Sequence, residues 1–173
     1  MLILRGDLRR AIPIAGMERV HVEGEALCFT IGSEQIVLAL GADVAARWAK
    51  KIAAPPRSLA DKLGVSGEAK ALVLGDDIHD PALEAALEGA RAQTEADAAL
   101  SVAIVTDEAA LGQALQRHAR LPNGAPIWIV HRKGRNASFG ETSIRAAMRL
   151  RGFIDTKVAS VSSRLTAIRY SRR

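Results

Sequence analysis

Short apolar runs broken by glycine-containing turns pattern positions 2–40, and within them residues 19–23 alternate apolar and polar, the period-two mark of a half-buried strand. Residues 2–4 open the series and Gly6-Asp7 breaks it. Residues 11–14 are short and contain Pro13, which predicts an edge strand or the first residues of one. Residues 19–23, 26–31 and 35–40 follow, separated by turns at Gly24-Glu25 and Gly32-Ser33. Runs so closely spaced, joined by glycine-containing turns, predict an antiparallel meander. After Gly41 the period changes. Val44, Ala45, Trp48, Ala49 and Ile52 recur at three and four, which predicts an amphipathic helix. Lys50 and Lys51 fall near its C-terminal end, where cations suit the helix dipole.

Pro55-Pro56 cannot continue a helix, so the best boundary lies there, between a module at 1–54 and another at 58–173. A strand meander closed by one helix with a central Trp resembles a reduced pleckstrin-homology-like module. Beyond the prolines, strands and helices alternate. Ser58 caps a short helix that ends at Gly64, and residues 70–74 form a strand. Asp80-Pro81 starts a helix running to about Ala92, with Asp as cap and Pro in the first turn. Residues 99–105 form a strand, and Thr106 caps a helix over 107–120. A strand over 126–130 and a helix over 141–151 complete the alternation. Residues 153–161 and 165–170 form a final pair whose short link requires antiparallel pairing. The fold class is therefore α/β: a Rossmann-like, mostly parallel sheet ending in an antiparallel strand pair, preceded by a small antiparallel β module with one C-terminal helix.

Three stretches of the second module carry a family resemblance: Ser58-Leu-Ala-Asp-Lys-Leu-Gly-Val65, Ala125-Pro-Ile-Trp-Ile-Val-His-Arg-Lys-Gly134 and Gly152-Phe-Ile-Asp-Thr-Lys-Val-Ala-Ser-Val161. Over residues 58–173 the chain resembles a bacterial family, the domain of unknown function family 3052. The resemblance implies a methyltransferase-like fold and carries over no cofactor or catalytic residue. In the terminal turn, Ser162-Ser-Arg-Leu165 lacks the aromatic residue and glycine of that pattern.

Composition narrows the function classes. Aromatic residues make up 3% of the chain, too few for modules that read nucleic acid by stacking, so nucleic acid is disfavoured as a partner. Cys28 stands alone in an apolar strand and reads as a packed thiol. No apolar run is long enough to span a membrane, and the first residues lack the apolar stretch of a signal peptide. A cytoplasmic protein without membrane insertion is expected. Charge is uneven: residues 58–122 hold five Lys and Arg against eleven Asp and Glu, whereas residues 123–173 hold eleven against two. Such asymmetry marks an anionic partner, or oppositely charged stretches that attract each other within the chain or between subunits.

Two candidate sites follow. Gly75, Asp76 and Asp77 follow the first parallel strand and Thr106-Asp107 the second, where doubly wound folds bind ligands. A dinucleotide cradle needs several glycines, and here one glycine precedes a row of acids. An adenosine-type cationic cofactor is the ligand such a cleft tolerates best. Asp76, Asp77, His79 and Asp80 carry metal-ligating atoms, but no second cluster completes a site, so neither a metal nor a cofactor is expected. The other candidate is a basic patch of His131, Arg132, Lys133 and Arg135 after the third parallel strand, with Arg145, Arg149 and Arg151 on the next helix, the first two four apart on one face. Catalysis is disfavoured. There is no Gly-x-Ser-x-Gly, and His21, His79, His118 and His131 are scattered. His118 sits near a helix end, a favourable place for a cation. The leading expectation is a non-catalytic binding or scaffold protein with a protein partner or a second copy of itself. The alternatives are a small-molecule enzyme or sensor using the Gly75 cleft, and an anion-binding or nucleic-acid-binding module using the basic stretch.

Overall fold

A computed structural model describes residues 2–5, 9–75, 79–122, 124–134 and 138–172 and divides the chain into two units, Met1–Pro56 and Arg57–Arg173. In the first, β1 (Leu2–Leu4) and β2 (Arg10–Ile12) pair antiparallel. Pro13 lies outside the strands. It leads into a 3-10 turn at Ile14–Gly16, so β2 stops short of the expected position 14. Proline has no N–H to give a ladder, and its fixed φ suits the turn. β3 (Glu18–Glu23), β4 (Ala26–Ile31) and β5 (Glu34–Ala39) form an antiparallel meander in chain order. α1 (Ala42–Ala53) packs Ala45, Trp48 and Ile52 with Leu27, Phe29 and Ile36 of the meander. Arg10 donates twice to the Glu34 carboxylate, at 2.6 and 2.7 Å, and ties β2 to β5.

The second unit opens with α2 (Leu59–Leu63), held by a capping box. The Asp61 N–H donates to the Ser58 hydroxyl, and the Ser58 N–H donates to the Asp61 carboxylate. Hydrogen bonds from Ser58 hold the Asp61 pKa below its usual value. Five strands then form one sheet in the order β6 (Ala71–Leu74), β7 (Leu100–Ile104), β8 (Ile127–Arg132), β10 (Leu165–Arg172), β9 (Phe153–Ser160). β6, β7 and β8 are parallel, and β10 is antiparallel to both of its neighbours. β9 therefore runs in the same direction as β8, with β10 inserted between them.

α3 (Pro81–Leu87) is capped by Asp80, which accepts the N–H groups of Ala82 and Leu83. It ends at Leu87 rather than near Ala92. Glu88 leaves the helical region and Gly89 takes a φ of 69°. That turn lays residues 90–92 beside β6. The Ala71 N–H donates to the Ala90 carbonyl (2.8 Å), and the Ala92 N–H donates to the Ala71 carbonyl (2.9 Å). This segment occupies the edge of β6 away from β7. The chain thus winds one way from β6 and returns to wind the other way from β7, which puts a topological switch point between them. The helices divide accordingly. α2 and α3 pack on the face bearing Trp128 and Val130. α4 (Glu108–His118) and α5 (Glu141–Leu150) pack on the face bearing Ile127 and Ile129.

Two sequence expectations change within this frame. Asp107, not Thr106, caps α4, accepting the Ala110 N–H at 2.8 Å. His118 is not a solvated cation at a helix end. Its ring is buried, its Nδ1 lies 2.8 Å from the Ser101 hydroxyl, and Phe153 packs beside it. Burial pushes its pKa down, and the charge of Arg172 adds to the effect.

Gly75 follows β6 with a φ of 90°, and a Cβ there would lie 2.3 Å from the backbone oxygen of Ile104. Gly75→Ala should therefore cost about 3 kcal/mol or more, from left-handed strain and a backbone clash. Gly64→Ala, at a φ of 74° in open space, should cost only about 1 kcal/mol. Urea unfolding of the two variants checks the ordering. A second prediction concerns acid. A His whose folded pKa lies below its unfolded value binds its proton more readily when unfolded. Stability should hold above the ordinary value of 6.5, fall as pH drops below it, and level off beneath the depressed folded pKa. His118→Gln should flatten the fall measured by urea midpoints between about pH 7.5 and 5.5.

Candidate functional site

The carboxyl end of β8 and the amino end of α5 enclose a cavity of about 660 Å³. Its wall includes His131, Arg132 and Lys133 from the strand end, and Gly140, Glu141, Thr142 and Ser143 from the helix start. Local sequence accounts for both sides. The apolar run Ile127-Trp-Ile-Val130 is buried on both faces and ends where His131 and Arg132 begin. Gly140 supplies no side-chain cap to α5, and among the described residues the first-turn N–H groups have no partner beside the cavity. The partial positive charge of a helix start favours an anion there.

His131 is 2% exposed. Its Nδ1 lies 3.0 Å from the Arg132 carbonyl, which can only accept, so Nδ1 carries the proton. Burial lowers the His131 pKa, against smaller raising effects from that hydrogen bond and from Glu141. The imidazole is therefore neutral near pH 7. Among the described residues its Nε2 and the Tyr170 hydroxyl are the two buried side-chain polar atoms without a hydrogen-bond partner.

The basic patch divides. Arg132 and Lys133 line the cavity and are exposed. The Lys133 ammonium also donates to the Ser160 hydroxyl (2.7 Å) and the Ser162 carbonyl (2.6 Å), which holds it against the end of β9. Arg145 faces inward to two carboxylates. It donates to Glu141 at 2.9 Å and pairs with Asp155. Arg149 lies 3.8 Å from the same Asp155. The two acids of the last stretch thus neutralise the arginines that share a helix face, and Arg132 and Lys133 keep their charge for the cavity. Arg151 lies 3.8 Å from Glu108, so part of the opposition between acidic and basic stretches is met within this unit. Arg135 lies outside the described residues.

The cleft at the switch point is differently built. Gly75 fits its backbone against Ile104, and Asp107 is committed to capping α4. Thr106 turns its hydroxyl toward the Asp107 carboxylate at 3.4 Å. Asp76 and Asp77 lie outside the described residues. A second concavity, of about 710 Å³, lies beside α3 and mixes Lys70 and Arg91 with Glu84 and Glu88. Charges of both signs there give no preference for one ligand charge.

Sequence reasoning singled out Arg132 and Lys133, counted His131 only as part of the basic segment, and passed over Thr142 and Ser143. The available signal was a His closing an apolar strand, followed by a glycine that opens a helix. Asp155→Asn should release Arg145 and Arg149, lowering stability by about 1 kcal/mol with an unchanged urea slope. No known family model matches the chain, and no curated protein matches it.

Proposed function

We propose that this chain is a non-catalytic binding protein that takes a small anionic ligand, of the phosphate or phosphorylated class, at the carboxyl end of β8. One observation carries the reading. Two exposed cations, two exposed hydroxyls and an uncapped helix start converge on a single cavity beside the buried His131 ring. Arg132 and Lys133 supply charge, the first-turn N–H groups of α5 supply directional donors, and Thr142 and Ser143 supply hydroxyls. The neutral His131 ring adds no positive charge of its own to the wall. Nothing in this set forms an activated nucleophile, which favours binding over reaction.

We further propose that the second module is a degenerate methyltransferase-like domain resembling the domain of unknown function family 3052. The strand order and the inserted antiparallel β10 support that proposal. The first module is read as a reduced pleckstrin-homology-like appendage, on the strength of its meander and closing helix. Self-association and a cytoplasmic location belong to the same proposal. The adenosine-cofactor alternative is less well supported, because Asp107 is committed to capping α4.

Thermal shift with inorganic phosphate, phosphorylated metabolite mixtures and S-adenosylmethionine tests the reading. A phosphate-class ligand at a hundred times its dissociation constant should add roughly 2.7 kcal/mol. Arg132→Ala should weaken that ligand by about tenfold or more, the loss of one charge-assisted hydrogen bond. Stabilisation by S-adenosylmethionine alone, or phosphate binding indifferent to Arg132→Ala, would reject it.

A further inference from the structure

The outer face of the β3–β5 meander carries a group of unlike side chains that the anion cavity does not use. His21 and Glu23 stand on β3, and Cys28 is the direct cross-strand partner of His21 on β4. One ligand atom from each, an imidazole nitrogen, a carboxylate oxygen and the thiol sulfur, lies within 4.8 Å of the others. The Cys28 sulfur is 4.0 Å from the Glu23 carboxylate. Among the described residues this is the one group of three such side chains.

We propose that His21, Glu23 and Cys28 form a binding site for a borderline-soft divalent metal ion of the zinc type. The donor set decides the class. Thiolate and imidazole together disfavour magnesium and calcium, which take oxygen, and suit zinc. In a tetrahedral zinc site, bond lengths of about 2.0–2.3 Å place neighbouring ligand atoms roughly 3.3–3.6 Å apart. His21 and Glu23 are exposed and reach that spacing by small side-chain rotations, whereas Cys28 is buried and fixed.

The backbone next to His21 supports the assignment. The ladder slips between Glu18 and His21, and Arg19 takes a φ of 52°, rare outside glycine. The Arg19 carbonyl then lies 2.7 Å from His21 Nδ1. A carbonyl accepts, so Nδ1 holds the proton and Nε2 keeps the lone pair a metal needs. Metal-bound histidines are commonly oriented by a hydrogen bond of this kind. On binding, the Cys28 S–H bond breaks, the sulfur keeps the electron pair as thiolate, and the proton goes to solvent. Three protein ligands leave a fourth position for water.

The test uses the full chain, stripped with a chelator and titrated with Co²⁺, then displaced with Zn²⁺. One equivalent of Co²⁺ should produce a thiolate-to-cobalt charge-transfer band that Zn²⁺ abolishes. Cys28→Ser should remove the band. Because Cys28 is buried, the exposed variants His21→Asn and Glu23→Gln decide the matter if Cys28→Ser fails to fold. Each should weaken Zn²⁺ by about tenfold or more. Glu68→Gln, exposed and remote in sequence, should leave affinity unchanged. Absence of the band in the unaltered chain overturns the proposal. So does binding whose strength survives both His21→Asn and Glu23→Gln.

Discussion

The structure of the second unit depends on β8 being hydrogen-bonded on both edges and covered on both faces. β7 pairs with one edge in parallel and β10 with the other antiparallel. Residues Ile127 to Val130 are fully buried. Trp128 anchors one face, and its indole N–H donates to the Leu63 carbonyl at 2.9 Å. That bond satisfies an otherwise open carbonyl at the end of α2 and pins the helix to the sheet. Lys157 donates to the neighbouring Lys62 carbonyl and lies over the Trp128 ring. A ring of this size removed from a core costs about 3–5 kcal/mol. Here the loss would also strand the Leu63 carbonyl.

A strand held so firmly delivers its carboxyl end to a fixed place. His131 and Arg132 emerge where α5 begins, and α5 starts with a glycine that leaves its donors uncovered. The inserted β10 brings Thr166 opposite His131 and lets Lys133 bond to the end of β9. At the switch point between β6 and β7, Gly75 packs so closely on Ile104 that no Cβ would fit. The anionic reading follows from the charges and donors gathered at the end of β8.

The first unit shows the complementary use of a sheet's two faces. Along β4, Leu27 and Phe29 point into the core with α1, while Cys28 and Thr30 point the other way. Cross-strand pairing then sets His21 beside Cys28, and the slip in the ladder aims the Arg19 carbonyl at the imidazole. The core and the ligand group are products of one alternation.

Local conformations and the α/β class were legible in the chain. Alternation marked β3, short apolar runs between glycine turns marked β4 and β5, period 3.6 marked α1, and Ser58, Asp80 and Gly64 marked helix ends through chemistry acting over a few residues. It also exposed Arg132 and Lys133 as charges placed after an apolar strand. Tertiary structure alone decided what depends on partners distant along the chain. The end of α3 at Leu87 follows from residues 90–92 pairing with Ala71, a contact no local pattern encodes. His118 loses its surface role because Ser101 and Phe153 close around it. Arg145 and Arg149 are neutralised because β9 brings Asp155 to α5. Periodicity states which face of an element is apolar. Only hydrogen-bond closure and packing between remote segments choose the neighbour that covers it, and with it the charges left free to bind.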